Sequence, residues 1–288
     1  MPVIAVVNRK GGSGKSTLAT NLAACLAQRG HSVMLGDVDR QPSTTAWLRR
    51  RAAQKLASPP ITGRSVDPRQ VLRAPPGVSH TVIDTPGGLH GLDLARLLMA
   101  ADLVLMPVCH ATFDRESAAA CFEELRRHPR VASGRCQVAA VGMRIDSRTR
   151  GEDVLAEWAA SIGLPLLGVL RETQNYVRCV ERGLSIFDLP AARVQTDIDQ
   201  WQPILAWMDT ALAPSADAAT SGPRSRPPSR THARDDGLRN EARRVAASAE
   251  VQRATMADLA RKTVPQPPLL GRLWAWLVPA RTSVRRAR

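Results

Sequence analysis

Over the first 212 residues, short apolar runs alternate with longer stretches in which apolar side chains recur every three or four positions. The runs at 3–7, 33–38, 81–83, 103–108, 137–141 and 166–170 have the length and character of strands buried on both faces. Between them, helical spacing is carried first by Leu18, Leu22, Cys25 and Leu26, and then by segments at 43–56, 92–100, 114–127 and 152–162. Asp114 is placed to cap the helix it opens. Ser58-Pro59-Pro60 breaks the pattern, and one short strand near Ile61 and a helix at 68–73 are expected before the next strand. A last helix, 196–212, uses Ile198, Trp201, Leu205 and Met208 for packing. This alternation predicts an α/β fold with a doubly wound, mostly parallel sheet flanked by helices. Such sheets bind ligands at the carboxyl ends of their strands.

The polar residues at those strand ends carry the chemistry. The first run leads into Lys10-Gly11-Gly12-Ser13-Gly14-Lys15-Ser16-Thr17, which opens the first helix. Strand, glycine loop and helix in that order form a phosphate cradle: glycines let backbone N–H groups face an anion, and the helix N-terminus adds its dipole. Lys15 then reaches the β- and γ-phosphates, and the Ser16 hydroxyl is placed to ligate Mg²⁺. The second run ends in Asp37-Val38-Asp39, whose alternation puts both carboxylates on one face if the strand persists. The third ends in Asp84-Thr85-Pro86-Gly87-Gly88, an aspartate at the sheet edge suited to holding Mg²⁺ through its water shell.

The loop departs from the usual Gly-x-x-x-x-Gly-Lys-Ser/Thr spacing, since its first position is not a glycine and a lysine, Lys10, precedes Gly-Gly. In this it resembles the deviant Walker A loop of the ParA/MinD family. Asp37-Val38-Asp39-Arg40-Gln41-Pro42 is similar to that family's Asp-x-Asp-Pro-Gln switch, with Arg40 in place of proline. Asp84-Thr85-Pro86-Gly87 and Glu181-Arg182-Gly183-Leu184-Ser185-Ile186-Phe187 are similar to further family segments. The resemblance spans residues 1–212 and implies a P-loop NTPase domain that binds ATP and Mg²⁺. It implies that Lys10 crosses to the partner's nucleotide in an ATP-sandwiched homodimer, that Asp37 lies near Mg²⁺ with Ser16 and Asp84, and that Asp39 places the attacking water. It further implies nonspecific DNA binding through arginines, for which Arg148, Arg150, Arg171, Arg178 and Arg182 are the candidates, with Arg144 behind them. Relatives usually carry asparagine against adenine where this chain has Met143.

Charge sharpens the partner. Of a formal net +14, the stretch from Ser215 onward holds +9, with fifteen basic against six acidic residues. A basic body with a more basic tail points to a polyanion, either nucleic acid or anionic lipid. Residues 213–234 read as a disordered Ala/Ser/Pro/Arg-rich linker, and 235–288 as a basic tail with charged helical stretches. Within it, 269–278 pairs Trp274 and Trp276 with leucines beside arginines, a pattern suited to an anionic membrane surface or to docking on a protein.

Five cysteines without a Cys-x-x-Cys pair suggest neither a disulfide framework nor a zinc site, and suit a reducing cytosol. No signal peptide pattern and no apolar run of about 20 residues is present. Iron–sulfur reductases would need bridging cysteines in glycine-rich loops, which Cys109 and Cys136 lack. Bacterial tyrosine kinases would need a tyrosine-rich tail, and Tyr176 is the only tyrosine. The expectation is a cytoplasmic, nucleoid-associated, slow ATPase stimulated by a ParB-like or other adaptor, which segregates or positions a cargo. The alternative is a MinD-like enzyme whose surface is membrane.

Overall fold

A computed structural model describes residues 1–38, 43–56, 58–67, 74–146 and 148–213. Seven strands form one sheet: β1 (Val3–Val6), β2 (Val33–Asp37), β3 (Thr62–Ser65), β4 (His80–Asp84), β5 (Leu103–Val108), β6 (Gln137–Ile145) and β7 (Leu166–Arg171). Their order is β3-β2-β4-β1-β5-β6-β7, and every pairing is parallel. β1 lies in the middle, and the chain builds outward from it first to one side and then to the other. The loop after β1 therefore opens at the point where strand order reverses, where sheets of this kind bind ligands.

Two apolar layers follow from the pleat. Ile4 and Val6 of β1 face a core completed by α1 (Lys15–Gln28), α2 (Ser43–Ala52) and the later helices, including Leu18, Leu22, Leu35, Trp47 and Trp201. Val3, Ala5 and Val7 face the other, with Leu94 and Leu98 of α3 (Gly91–Ala100), Cys121 and Leu125 of α4 (Thr112–Arg126), and Leu155 of α6 (Gly151–Ile162). A four-residue helix, α5 (Pro129–Ala132), separates α4 from β6. Each leucine fully removed from water contributes about 1.5–3 kcal/mol before chain entropy is counted.

α2 buries Thr44, Trp47 and Arg51, one stripe at helical spacing, and packs on α7 (Gln174–Arg182). A Cβ at Gly183 would lie 2.3 Å from the Arg51 nitrogen, and the φ of Gly183 is +73°, so only glycine permits this approach. Beneath the contact, Arg51 donates to both carboxylate oxygens of Asp188 at 2.7 and 3.1 Å, and Trp47 Nε1 donates to the Leu184 carbonyl at 3.0 Å.

The sheet, the strand near Ile61 and most helices agree with the sequence reading. α2 ends at Ala52, short of the expected residue 56, α5 and α7 were not foreseen, and three further differences stand out. The helix expected at 196–212 is two helices, α8 (Ala191–Asp199) and α9 (Gln202–Leu212). Pro203 sits in the first turn of α9, where its missing N–H costs nothing, whereas inside a longer helix it would break a hydrogen bond. Asp114 does not cap α4: the cap is Ala111, and Asp114 lies in the first turn with its carboxylate engaged elsewhere. β6 runs on to Ile145, past the expected end at Val141. The helix at 68–73, Asp39 with Arg40, and the tail from residue 214, including 269–278, lie outside the described residues.

Among the described residues no helix is long and apolar enough to cross a membrane. The five cysteines are free thiols. Burial pushes Cys25, Cys121, Cys136 and Cys179 up to about 11.

Candidate nucleotide site

The glycine loop links the end of β1 to α1, and its shape comes from two left-handed glycines. Gly12 has φ +74° and Gly14 φ +96°, conformations that L side chains rarely adopt. Nothing stands within 4 Å of where a Cβ at Gly11 or Gly12 would be, so that side of the loop is open. Asn8 anchors the start of the loop. Its Nδ2 donates to the Pro107 carbonyl at 2.7 Å, and its Oδ1 accepts from the Lys10 N–H at 3.1 Å, tying the loop's start to β5. Lys15 is buried at the base of α1, and its Nζ donates to the Lys10 carbonyl at 3.0 Å. The Ser13 hydroxyl is buried without a hydrogen-bond partner among the described residues.

The acids arrive on the neighbouring strands. Asp37 and Asp84 are register partners at the ends of β2 and β4, and each is 2% exposed. Asp37 Oδ2 accepts from the Thr44 N–H at 3.2 Å and its hydroxyl at 2.5 Å, which fixes the start of α2 to the strand end. Thr85 Oγ1 donates to the Val6 carbonyl at 2.7 Å, and Gly88 N donates to the Arg9 carbonyl at 2.6 Å. Gly87 lies so near Gly11 that an added Cβ would sit 3.3 Å from its backbone. The segment after Asp84 thus rests on the phosphate loop. Arg9 extends the same contact: it pairs with Glu124, which accepts from Gly91 N at 2.6 Å. Burial raises the Glu124 carboxyl, but the bonds from Arg9 and Gly91 outweigh it and hold it below its ordinary value.

Lys10 points away from this cluster, with its ammonium 3.0 Å from Asp114 Oδ2 and the side chain 37% exposed. On the other flank a cavity of about 310 Å³ is lined by Gly14, Thr17, Met143, Arg144, Glu172 and Thr173. Met143 closes onto the loop: a Cβ on Gly14 would lie 2.8 Å from its methyl carbon. Arg144 has a φ of +54° where the pairing of β6 with β7 shifts register, a backbone strain of the kind found at binding sites. Arg144 therefore lines this cavity.

These features fit a nucleoside polyphosphate with its metal. The open glycine face, the unpartnered Ser13 hydroxyl and the N-terminus of α1 suit phosphate oxygens. Ser16 with Asp37 and Asp84 suits Mg²⁺, which takes one or two carboxylates and leaves its remaining positions to phosphates and water. Among the described residues no three His, Cys, Asp or Glu side chains converge as a metal set, so the phosphates would have to complete such a site.

The arginines proposed for DNA fall into two groups. Arg148 pairs with Asp146 at 2.8 Å, Arg150 with Asp153 at 3.4 Å and Arg171 with Asp197 at 2.6 Å. Their charge is already matched within the chain. Arg178 and Arg182, both exposed on α7, have no ion pair among the described residues. The sequence reading missed Thr44, Arg9 and Glu124. A threonine one residue into a helix that follows the Asp37 strand is a signal that could have found the first.

Residues 4–186 match the CobQ/CobB/MinD/ParA nucleotide binding domain. A maintenance of carboxysome distribution protein A from Gloeobacter kilaueensis is 35% identical over 190 residues, 64% of this chain and 83% of the relative. Its namesake from Halothiobacillus neapolitanus is 29% identical over 205 residues, 70% of this chain and 94% of the relative. Among solved structures, apo McdA from Cyanothece superposes with a TM-score of 0.57 at 15% identity, covering 71% of this chain and 99% of that one, a likeness of fold. The phosphate loop, the paired strand-end acids and these matches together place the chain in the CobQ/CobB/MinD/ParA nucleotide-binding family.

Proposed function

We propose that this protein is a slow ParA-type ATPase that closes an ATP-sandwiched homodimer, holds nonspecific DNA and positions a cargo. Hydrolysis stimulated by an adaptor protein would then release it from the DNA. The observation that carries the reading is the layout of one sheet edge. Lys15, Asp37 and Asp84 gather at the phosphate loop, while Lys10 stays partly exposed at its mouth, held by Asp114. Lys15 would hold the β- and γ-phosphates, Ser16 and Asp84 would hold Mg²⁺, and Asp37 would support them through α2. Asp39 orients the attacking water. Bound Mg²⁺ supplies charge neutralisation at the transferred phosphoryl group. Adenine occupies the cavity beside Met143, whose methyl offers an apolar face in place of an amide.

The two relatives, matched over most of their own length, are named for carboxysome distribution. We favour a large cellular body as cargo over a plasmid or chromosome region, and a cytoplasmic, nucleoid-associated location. A MinD-like membrane reading is favoured only by Trp274, Trp276 and the neighbouring arginines of the tail.

The test is retention of the full chain on random-sequence DNA and on vesicles of mixed anionic and neutral phospholipid, with ATP, with ADP and without nucleotide. Dimer mass is followed in parallel. ATP-dependent DNA retention together with an ATP-dependent dimer supports the reading. Vesicle retention that disappears in Trp274→Ala/Trp276→Ala, with no DNA retention, replaces it by the membrane alternative.

A further inference from the structure

Two adjacent acids end α4, and only one of them is spent on the helix itself. Glu123 pairs with Arg126 and Arg127 on the next turn, as an acid on a solvated helix face does. Glu124 instead reaches across the fold. One carboxylate oxygen takes Arg9, 115 residues away in the chain, and the other accepts the Gly91 N–H at 2.6 Å.

Those two partners belong to the two segments that meet at the nucleotide site. Arg9 immediately precedes Lys10 of the phosphate loop, and Gly91 opens α3 at the end of the segment that leaves Asp84. α3 brings no cap of its own, because His90 at the cap position makes no side-chain hydrogen bond to the helix. Glu124 supplies the anion that the open N–H groups of a helix start attract. Arg9 is equally dependent on it: among the described residues Arg9 has no other ion pair, and its Nε is buried without a partner.

Between these anchors, the segment from Thr85 to Gly91 rests on the phosphate loop. Gly88 N donates to the Arg9 carbonyl at 2.6 Å, and a Cβ added at Gly87 would stand 3.3 Å from the Gly11 backbone. Gly88 and Gly91 have φ of +81° and +60°, conformations that glycine adopts readily and does little to hold. The far end of the segment is therefore fixed from outside, by one carboxylate that grips the loop on one side and the start of α3 on the other.

We propose that Glu124 is a positioning residue for ATP hydrolysis, holding the segment after Asp84 closed on the phosphate loop through its joint grip on Arg9 and Gly91. The inference rests on the ATPase reading above and deepens it. Phosphate binding falls to Lys15 and the glycine face, whereas the clamp sets where the segment after Asp84 stands. Losing it costs rate rather than affinity, and a displacement of about 1 Å is enough to slow a reaction about 100-fold.

The experiment uses the full chain and two readouts. Without nucleotide, hydrogen–deuterium exchange of peptides covering 85–98 reports on the segment itself. Glu124→Ala should speed exchange there at least about tenfold. Glu124→Gln, which keeps an acceptor for Gly91 but not the charge for Arg9, should lie between it and wild type. With ATP and Mg²⁺, calorimetry and single-turnover hydrolysis then separate affinity from rate. Glu124→Ala and Arg9→Ala should each lower the rate at least about tenfold, with the ATP dissociation constant within about twofold of wild type. Arg9→Lys should keep the rate, and the double alanine variant should be no slower than the slower single one. A melting temperature and an ATP affinity that fall together with the rate show a merely structural pair and overturn the clamp. Unchanged rate and exchange in both alanine variants overturn it too, and either result leaves the ATPase reading intact. A wild-type chain that binds ATP without hydrolysing it overturns that reading, and the positioning role falls with it whatever the exchange shows.

Discussion

Arg51→Ala puts the clasp between α2 and the segment after α7 to the test. The Arg51 and Asp188 side chains are 6% and 1% exposed, and the guanidinium meets both carboxylate oxygens, at 2.7 and 3.1 Å. Arg51 also lies over the Trp47 ring, 5.1 Å from its centroid. Removing it strands a buried carboxylate that keeps its bonds from Ser185 and from the Gln28 amide at 3.0 Å. Breaking one side of a buried pair costs about 3–5 kcal/mol, and the Ser185 and Gln28 bonds argue for the lower end. At about 2–4 °C per kcal/mol for a domain of this size, the melting temperature at pH 7 should fall by about 6–12 °C.

The pH dependence has a definite sign. Burial raises the Asp188 carboxyl, but the bonds from Arg51 and Ser185 outweigh this and hold it below its ordinary value. The ion pair's contribution is thus complete above the unfolded carboxyl's pKa, near 4, and is lost as pH falls through the lower folded value. The deficit of Arg51→Ala should therefore shrink in acid. Adding Asp188→Asn to Arg51→Ala should recover part of the loss, because the stranded charge is gone. A melting temperature within about 1 °C of wild type, or strict additivity of the two substitutions, would refute the reasoning.

Lys15→Ala should abolish ATP binding measured by calorimetry, and Asp39→Ala should bind ATP yet accumulate as dimer with turnover lost. Unchanged turnover in both would remove the site assignment. Gly14→Ala forces a side chain into φ +96° and to 2.8 Å from Met143, so ATP affinity should fall at least tenfold, read by equilibrium binding. Asp114→Ala frees Lys10 from a partly exposed pair worth at most about 1 kcal/mol, so ATP-dependent dimerisation measured by light scattering should tighten by no more than about fivefold. Weakened dimerisation would show that Asp114 supports the dimer.

The glycines, the flanking lysines and the strand-end acids were legible because their chemistry is local: a short segment fixes the loop's shape, and strand period fixes where Asp37 and Asp84 emerge. The helix break before α9 had its signal in Pro203, but the apolar spacing of Ile198, Trp201 and Leu205 runs straight through it. Asp114 misled because a short acid near a helix start satisfies the rules of a cap, while its partner, Lys10, lies over a hundred residues earlier in the chain. The same distance hides the Arg51–Asp188 clasp. Charge in a sequence carries no record of which arginines already have a carboxylate.

α2 is pinned at both ends: Thr44 to Asp37 beside the phosphate loop, and Arg51 to Asp188 beneath the α7 arginines. Its ten residues span about 15 Å, too short and too well packed to bend. Such a rod can only slide or pivot as one piece. Sliding is resisted by Gly183, where the two backbones already touch. Pivoting would have to release a buried ion pair, so intermediate positions are costly and movement between the two sites would come in steps.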